Sequence, residues 1–132
     1  MEDKLKTRLG EKNYQKLIGI DNPELHQFIA KYVELCNPDK VFVCTDSPED
    51  VQYVRQEAIR AGEEMELAIA GHTVHFDGYY DQARDKKNTK FLLPPGADLG
   101  ANLNAMDKGE GLKEIHSILK DIMRGHQLFV RF

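Results

Sequence analysis

Residues Lys40 to Thr45, KVFVCT, constrain the fold more than any other stretch of the chain. They are β-branched and aromatic, and apolar almost without a break. A strand with one wet face alternates polar and apolar residues. A continuous apolar run belongs to a strand covered on both faces. Asp46-Ser47-Pro48-Glu49-Asp50 then opens a helix. Ser47 is the candidate cap, Pro48 suits the first helical position, and the acids complement the positive end of the helix dipole. Val51, Val54, Ala58 and Ile59 are expected on its buried side, with Gly62 at its end. The loop after a parallel strand is also a common ligand site. TDSPED offers backbone N–H groups to an anion, but its own carboxylates oppose one, so capping is the favoured reading.

The flanking segments extend this α/β layer. Asp3 to Ile18 reads as an amphipathic helix carrying Leu5, Leu9, Leu17 and Ile18, with a weak point at Gly10. Asp21-Asn22-Pro23 starts a second helix, whose stripe holds Leu25, Phe28, Ile29, Tyr32, Val33 and Leu35; Asn37-Pro38-Asp39 stops it. Glu66 to Ala70 suggests a short strand. His72 and His75 follow, with apolar alternation at Val74 and Phe76. Two histidines three apart resemble a metal-ligand pair, but strand alternation sends them to opposite faces, and a polar hairpin edge is the better reading. Asp77 to Gln82 reads as a turn and Lys90 to Leu93 as a strand ended by Pro94-Pro95-Gly96. From Asp107, the residues Leu112, Ile115, Ile118, Leu119 and Ile122 follow helical spacing up to Gly125, with His116 on the surface. Gly109 and Gly111 fit a flexible connection. The last residues, QLFVRF, have strand character, and so apolar a finish suggests a chain continuing in something longer. The expected class is α/β: a mixed sheet flanked by helices, with residues 1–132 forming a single domain.

Bulk properties exclude several functions. The formal net charge of -4 argues against a general nucleic-acid surface. No apolar run approaches the roughly 20 residues that span a bilayer, and the N-terminus lacks a signal-peptide core, so a cytoplasmic setting is the default. Cys36 and Cys44 have neither redox nor zinc spacing and read as free thiols, with Cys44 buried on the strand. There is no phosphate-binding P-loop, nucleophile elbow, HExxH or GxGxxG.

One stretch stands apart from this acidic background. ARDKKNT, Ala83 to Thr89, with Lys90 behind it, places Arg84, Lys86, Lys87 and Lys90 within seven positions. These cations either solvate a turn or hold an anion. An arginine beside a strand is suited to the second task, because its planar fork grips a carboxylate through two parallel N–H bonds.

The order of segments resembles the N-terminal domain of GTP-dependent phosphoenolpyruvate carboxykinase. The likeness runs from NPDKVFVCTDSPED through AGHTVHFDGYYDQARDKKNT to GHQLFVRF, about the last 100 residues. Ala83-Arg84 and Thr89 match a family stretch leading into a strand. The four residues between them, Asp85 to Asn88, depart from the family's apolar, acid, serine, lysine pattern. The resemblance implies an enzyme of gluconeogenesis that converts oxaloacetate and GTP to phosphoenolpyruvate, GDP and carbon dioxide with Mn2+ or Mg2+. It implies that Arg84 is the substrate-carboxylate ligand. The nucleotide loop, the metal ligands and the family's reactive cysteine are implied to lie in a C-terminal domain absent from these residues. The fragment alone is then expected to be inactive and to bind no cofactor, nucleic acid or membrane. The alternatives are a stand-alone α/β module for an acidic metabolite or protein partner, and a structural interaction domain.

Overall fold

The computed structural model describes residues 2–79, 85 and 87–131. Two helices come first, α1 (Glu2–Ile18) and α2 (Pro23–Cys36), followed by strand β1 (Lys40–Val43) and helix α3 (Pro48–Arg60). A hairpin of β2 (Met65–Glu66) and β3 (Thr73–Val74) comes next. Then follow β4 (Phe91–Leu93), β5 (Ala105–Asp107), α4 (Lys108–Leu119) and β6 (Gln127–Val130). The mixed α/β class holds, with the strands pairing as three two-stranded ladders: β1 with β6 and β4 with β5 in parallel, β2 with β3 antiparallel.

Local signals explain most helix boundaries. Asn22 caps α2 by accepting the Leu25 N–H at 3.0 Å, and Pro23 opens the first turn. Asn37 ends α2 in the left-handed region, at φ 52°. Ser47 caps α3 by accepting the Asp50 N–H at 3.2 Å. In α1, Gly10 breaks the helical geometry at φ 72° and ψ 160°, a conformation open essentially to glycine alone.

The core lies on one face of the β1–β6 pair. Val41 and Val43 align with Leu128 and Val130 and pack beneath Leu5, Leu9 and Leu17 of α1 and Ile29 and Val33 of α2. Aromatic rings lie on the other face. Tyr53 of α3 stacks on Phe42 at 4.3 Å between centroids and donates to Gln127 Oε1 at 3.1 Å. Burial of β1 is therefore complete on one side and partial on the other.

Several expected contacts differ. On α3 the buried residue is Asp50; Tyr53 is half-buried together with the expected Val54, Ala58 and Ile59, while Val51 stays 41% exposed. Ile18 and Phe28 also remain exposed. Cys44 is half-buried just past β1, whereas Cys36 is the buried thiol. The strand expected over Glu66 to Ala70 shrinks to Met65–Glu66, because Leu67 and Ile69 have no layer above them. Helix α4 ends at Leu119 rather than near Gly125: Asp121 turns left-handed at φ 59°, and the N–H groups of Asp121 and Met123 go to the carbonyls of Leu35 and Cys36. Ile115, Ile118 and Ile122 are exposed, and only Leu112 and Leu119 of the expected stripe are partly covered.

Asp50 is the single buried charged residue among the described residues. Lys16 of α1 bonds both its oxygens, at 2.7 and 2.6 Å, and also donates to the Val43 carbonyl at 3.1 Å. The Thr45 N–H and hydroxyl complete the carboxylate's shell at 2.9 and 2.7 Å. The ammonium lies over the Phe42 ring, 4.6 Å from its centroid. Chiefly because of Lys16, the Asp50 carboxyl is lowered from its ordinary value of 3.8 to about 2. A depressed acid stabilises the fold above its unfolded pKa, and that contribution disappears as pH falls from about 4 toward 2. Replacing Lys16 with Met strands a buried carboxylate. Urea unfolding of the K16M chain at pH 7 is expected to show a loss of about 3 kcal/mol, together with a flattened acid limb between pH 4 and 2. A loss below about 1 kcal/mol would show that the pair is not structural in the sense of a desolvated bridge.

Candidate functional site

Arg84, Ala83 and Lys86 lie outside the described residues. Asp85 and residues 87–89 of the basic stretch are described, and hydrogen bonds tie them together. Asp85 Oδ1 accepts the N–H groups of Lys87 and Asn88 at 3.1 and 3.0 Å, and its Oδ2 accepts from Asn88 Nδ2. The Asp85 carbonyl takes the Thr89 N–H at 3.0 Å and the Thr89 hydroxyl at 2.6 Å. These bonds, the Asn88 backbone N–H foremost, lower the Asp85 carboxyl from its ordinary value. An aspartate whose side chain takes backbone N–H groups two and three residues on is a recognised turn former.

The turn is tied to a rigid support. Asn104 Nδ2 reaches the Thr89 carbonyl at 3.5 Å, and the Phe91 N–H donates to the Asn104 carbonyl at 2.8 Å, starting the β4–β5 ladder. At the far end of β5, Asp107 caps α4 by accepting the N–H groups of Gly109 and Glu110 at 2.8 and 3.1 Å. Both glycines of the Gly-Glu-Gly stretch lie inside the first turns of α4 instead of in a flexible connection. Gly111 lets the helix approach β4 closely: a Cβ there would sit 2.2 Å from Leu92 Cδ2. The side chains of Lys87 and Lys90 are exposed, and neither makes a hydrogen bond or ion pair among the described residues.

A separate cleft of about 420 Å³ opens at the carboxyl ends of β1 and β6, bordered by Lys16, Cys44, Thr45, Asp46, Val51 and Arg131. Its chemistry is limited. Lys16 is neutralised by Asp50, and four N–H groups of the turn and the helix start are engaged internally: Thr45 to Asp50, Ser47 to Thr45, Asp50 to Ser47, Val51 to the Ser47 carbonyl. This supports capping over anion binding in TDSPED. A hollow of about 470 Å³ between α1 and α2 surrounds Leu5, Ala30 and Val33, and its Arg8 is held by Asn37 and the Pro38 carbonyl.

His75 donates to the Glu63 carbonyl through Nδ1 and lies 3.6 Å from Asp77 through Nε2. Among the described residues, no group of three or more His, Cys, Asp or Glu side chains is arranged to hold a metal ion. Among them, too, no helix is long and apolar enough to cross a membrane.

The family model of the phosphoenolpyruvate carboxykinase N-terminal domain matches residues 27–132. The chain belongs to this family. Among its carboxykinase relatives, it is 58% identical over 131 residues to the phosphoenolpyruvate carboxykinase (GTP) of Thermococcus sibiricus. It is 57% identical over 130 residues to that of Pyrococcus abyssi and 38% identical over 124 residues to that of Sulfurisphaera tokodaii. These alignments take in 99%, 98% and 94% of this chain but only 21%, 21% and 20% of the relatives. The chain thus spans about a fifth of the length of the carboxykinases it matches.

Sequence reasoning missed both bonded centres of this carboxykinase domain. Lys16 and Asp50 are 34 positions apart, and only the placement of a lysine beside Leu17 on an amphipathic helix hinted at a buried partner. The Asp85 turn had a local signal, an aspartate three residues before asparagine and four before threonine. The tight seat of α4 is testable through its sign. Gly111→Ala is expected to destabilise the chain by about 1 kcal/mol or more through overpacking. In a Leu92→Ala background the same change is expected to be neutral or stabilising by up to about 1 kcal/mol, since alanine favours helix over glycine. Thermal unfolding of the four proteins measures both.

Proposed function

We propose that this chain serves as the substrate-side, N-terminal part of a GTP-dependent phosphoenolpyruvate carboxykinase. In this reading residues 1–132 form one domain, and Arg84 grips a carboxylate of oxaloacetate or phosphoenolpyruvate. The family match over residues 27–132 carries the proposal, and the names of the Thermococcus and Pyrococcus relatives supply the reaction. The chemistry is consistent with the sequence. Loss of carbon dioxide from a 2-oxo diacid leaves an enolate, and alignment of the breaking bond requires the remaining carboxylate to be fixed. A guanidinium does this without a change in its own charge, because it stays protonated throughout the working pH range. Exposed Lys87 and Lys90 add positive potential that draws a dianionic acid toward the segment.

Phosphoryl transfer rests on a phosphate-binding loop and divalent ions. In this reading GTP and Mn2+ or Mg2+ are held by sequence outside residues 1–132, and the chain alone is assigned no turnover. A cytoplasmic setting goes with this reading.

In a full-length carboxykinase with these 132 residues at its N-terminus, Arg84→Ala is expected to raise KM for oxaloacetate and phosphoenolpyruvate by about tenfold or more while KM for GTP changes less than about twofold. Equal effects on both substrates, or none, would remove Arg84 from the role. The stand-alone metabolite-binding alternative instead requires the isolated chain to bind a dicarboxylate tightly by calorimetry.

A further inference from the structure

We propose that side chains of α1 and α3 close the outer edge of β1 in place of a third strand, and so keep that edge from pairing with a second copy of the chain. β1 has two edges. On one it pairs with β6, where the Cys44 N–H reaches the Val130 carbonyl at 2.9 Å. Backbone groups of successive residues alternate between the edges, so those of Val41, Val43 and Thr45 point the other way. No strand pairs there among the described residues. Yet four consecutive groups on that edge are bonded. The Asn13 side chain donates through Nδ2 to the Val41 carbonyl at 3.0 Å and accepts the Val43 N–H through Oδ1 at 2.9 Å. Lys16 Nζ donates to the Val43 carbonyl at 3.1 Å, and Asp50 Oδ2 accepts the Thr45 N–H at 2.9 Å.

The order of these bonds is that of a parallel ladder. In such a ladder one neighbouring residue donates to the carbonyl before the residue it faces and accepts from the N–H after it. Asn13 does this across Phe42 with a single amide, and the Lys16–Asp50 pair does it across Cys44. Asn13 and Lys16 are three positions apart, so both fall on one face of the helix. A further bond from Asn13 Nδ2 to the Leu9 carbonyl, at 3.2 Å, uses the second amide hydrogen. The chemistry fixes the amide's orientation, because a flip would set its NH2 against the Val43 N–H and its oxygen against the Val41 carbonyl. Packing alone does not ask for these groups, since Leu5, Leu9 and Leu17 already cover the valine face. An open strand edge is a template for another chain, and β1 is apolar nearly throughout. A second copy of the same edge fits it: each of residues 41, 43 and 45 offers both an N–H and a carbonyl, so two copies related by a two-fold axis satisfy each other.

The test uses a full-length carboxykinase with these 132 residues at its N-terminus and opens the edge by Asn13→Ala, alone and together with Lys16→Met. Hydrogen-exchange mass spectrometry over residues 41–45 is expected to show the Val43 amide exchanging about tenfold faster or more in Asn13→Ala than in the parent. Sedimentation velocity of the double variant is expected to show a mass that rises above the parent's as concentration increases. Val33→Ala is the control, a deletion in the buried core that leaves every edge bond in place. It is expected to lower the melting temperature and still sediment as the parent does. Association of Val33→Ala as readily as the double variant would overturn the inference, because lost stability would then be the cause. So would a folded double variant that sediments as the parent at every concentration, or unchanged exchange at Val43 in Asn13→Ala. Should the double variant not fold, Asn13→Ala decides by the same two readouts.

Discussion

The contact between Lys16 and Asp50 sets the geometry from which the rest of the domain is built. It joins three elements at one point: the last turn of α1, the end of β1 through the Val43 carbonyl, and the first turn of α3. Removing two charges from water is costly, and a pair of this kind is justified only when its remaining bonding capacity is also met. Here Thr45 meets it twice. An apolar pair in the same place would pack as well but would tolerate sliding between helix and strand. The directional bonds fix where α3 leaves the sheet, and with it where Tyr53 lands on Phe42.

A second locus of order is built around β4, β5 and α4. The β4–β5 pair and α4 form a small frame that owes little to the main core. Its coherence comes from a close helix–strand approach at Gly111 and from the Asp107 cap. Asp85, Asn88 and Thr89 join this frame through Asn104. The exposed Lys87 and Lys90 thus sit on a backbone held by hydrogen bonds and not by burial.

What was legible in the sequence was what is decided within a few residues. Asn22, Ser47 and Asn37 announce helix ends because their side chains or conformations act on backbone groups three or four positions away. Gly10 was visible as a weakness for the same reason. What could not be read was decided across the fold. α4 stops early because Leu35 and Cys36, on another helix, take the N–H groups of the residues that follow it. Periodicity identified apolar faces at Ile115, Ile118 and Phe28, but a stripe shows only that residues are apolar and not whether a neighbour arrives to cover them. Arg84 came into view through family resemblance and lies outside the described residues, whereas the bonds of Asp85 to Asn88 and Thr89 had a local signal in their spacing that the sequence reading passed over.

The pairing of β1 with β6 also carries a consequence for assembly. Lys40 to Val43 lie beside Gln127 to Val130, so the central ladder forms only between segments far apart in the chain. Such non-local closure is slow, and it leaves an unpaired apolar edge until the distant partner arrives. During synthesis KVFV leaves the ribosome long before QLFV. Over that interval the nascent chain presents a sticky template, and its escape from misassociation depends on α1 and α2 docking first over the valine face.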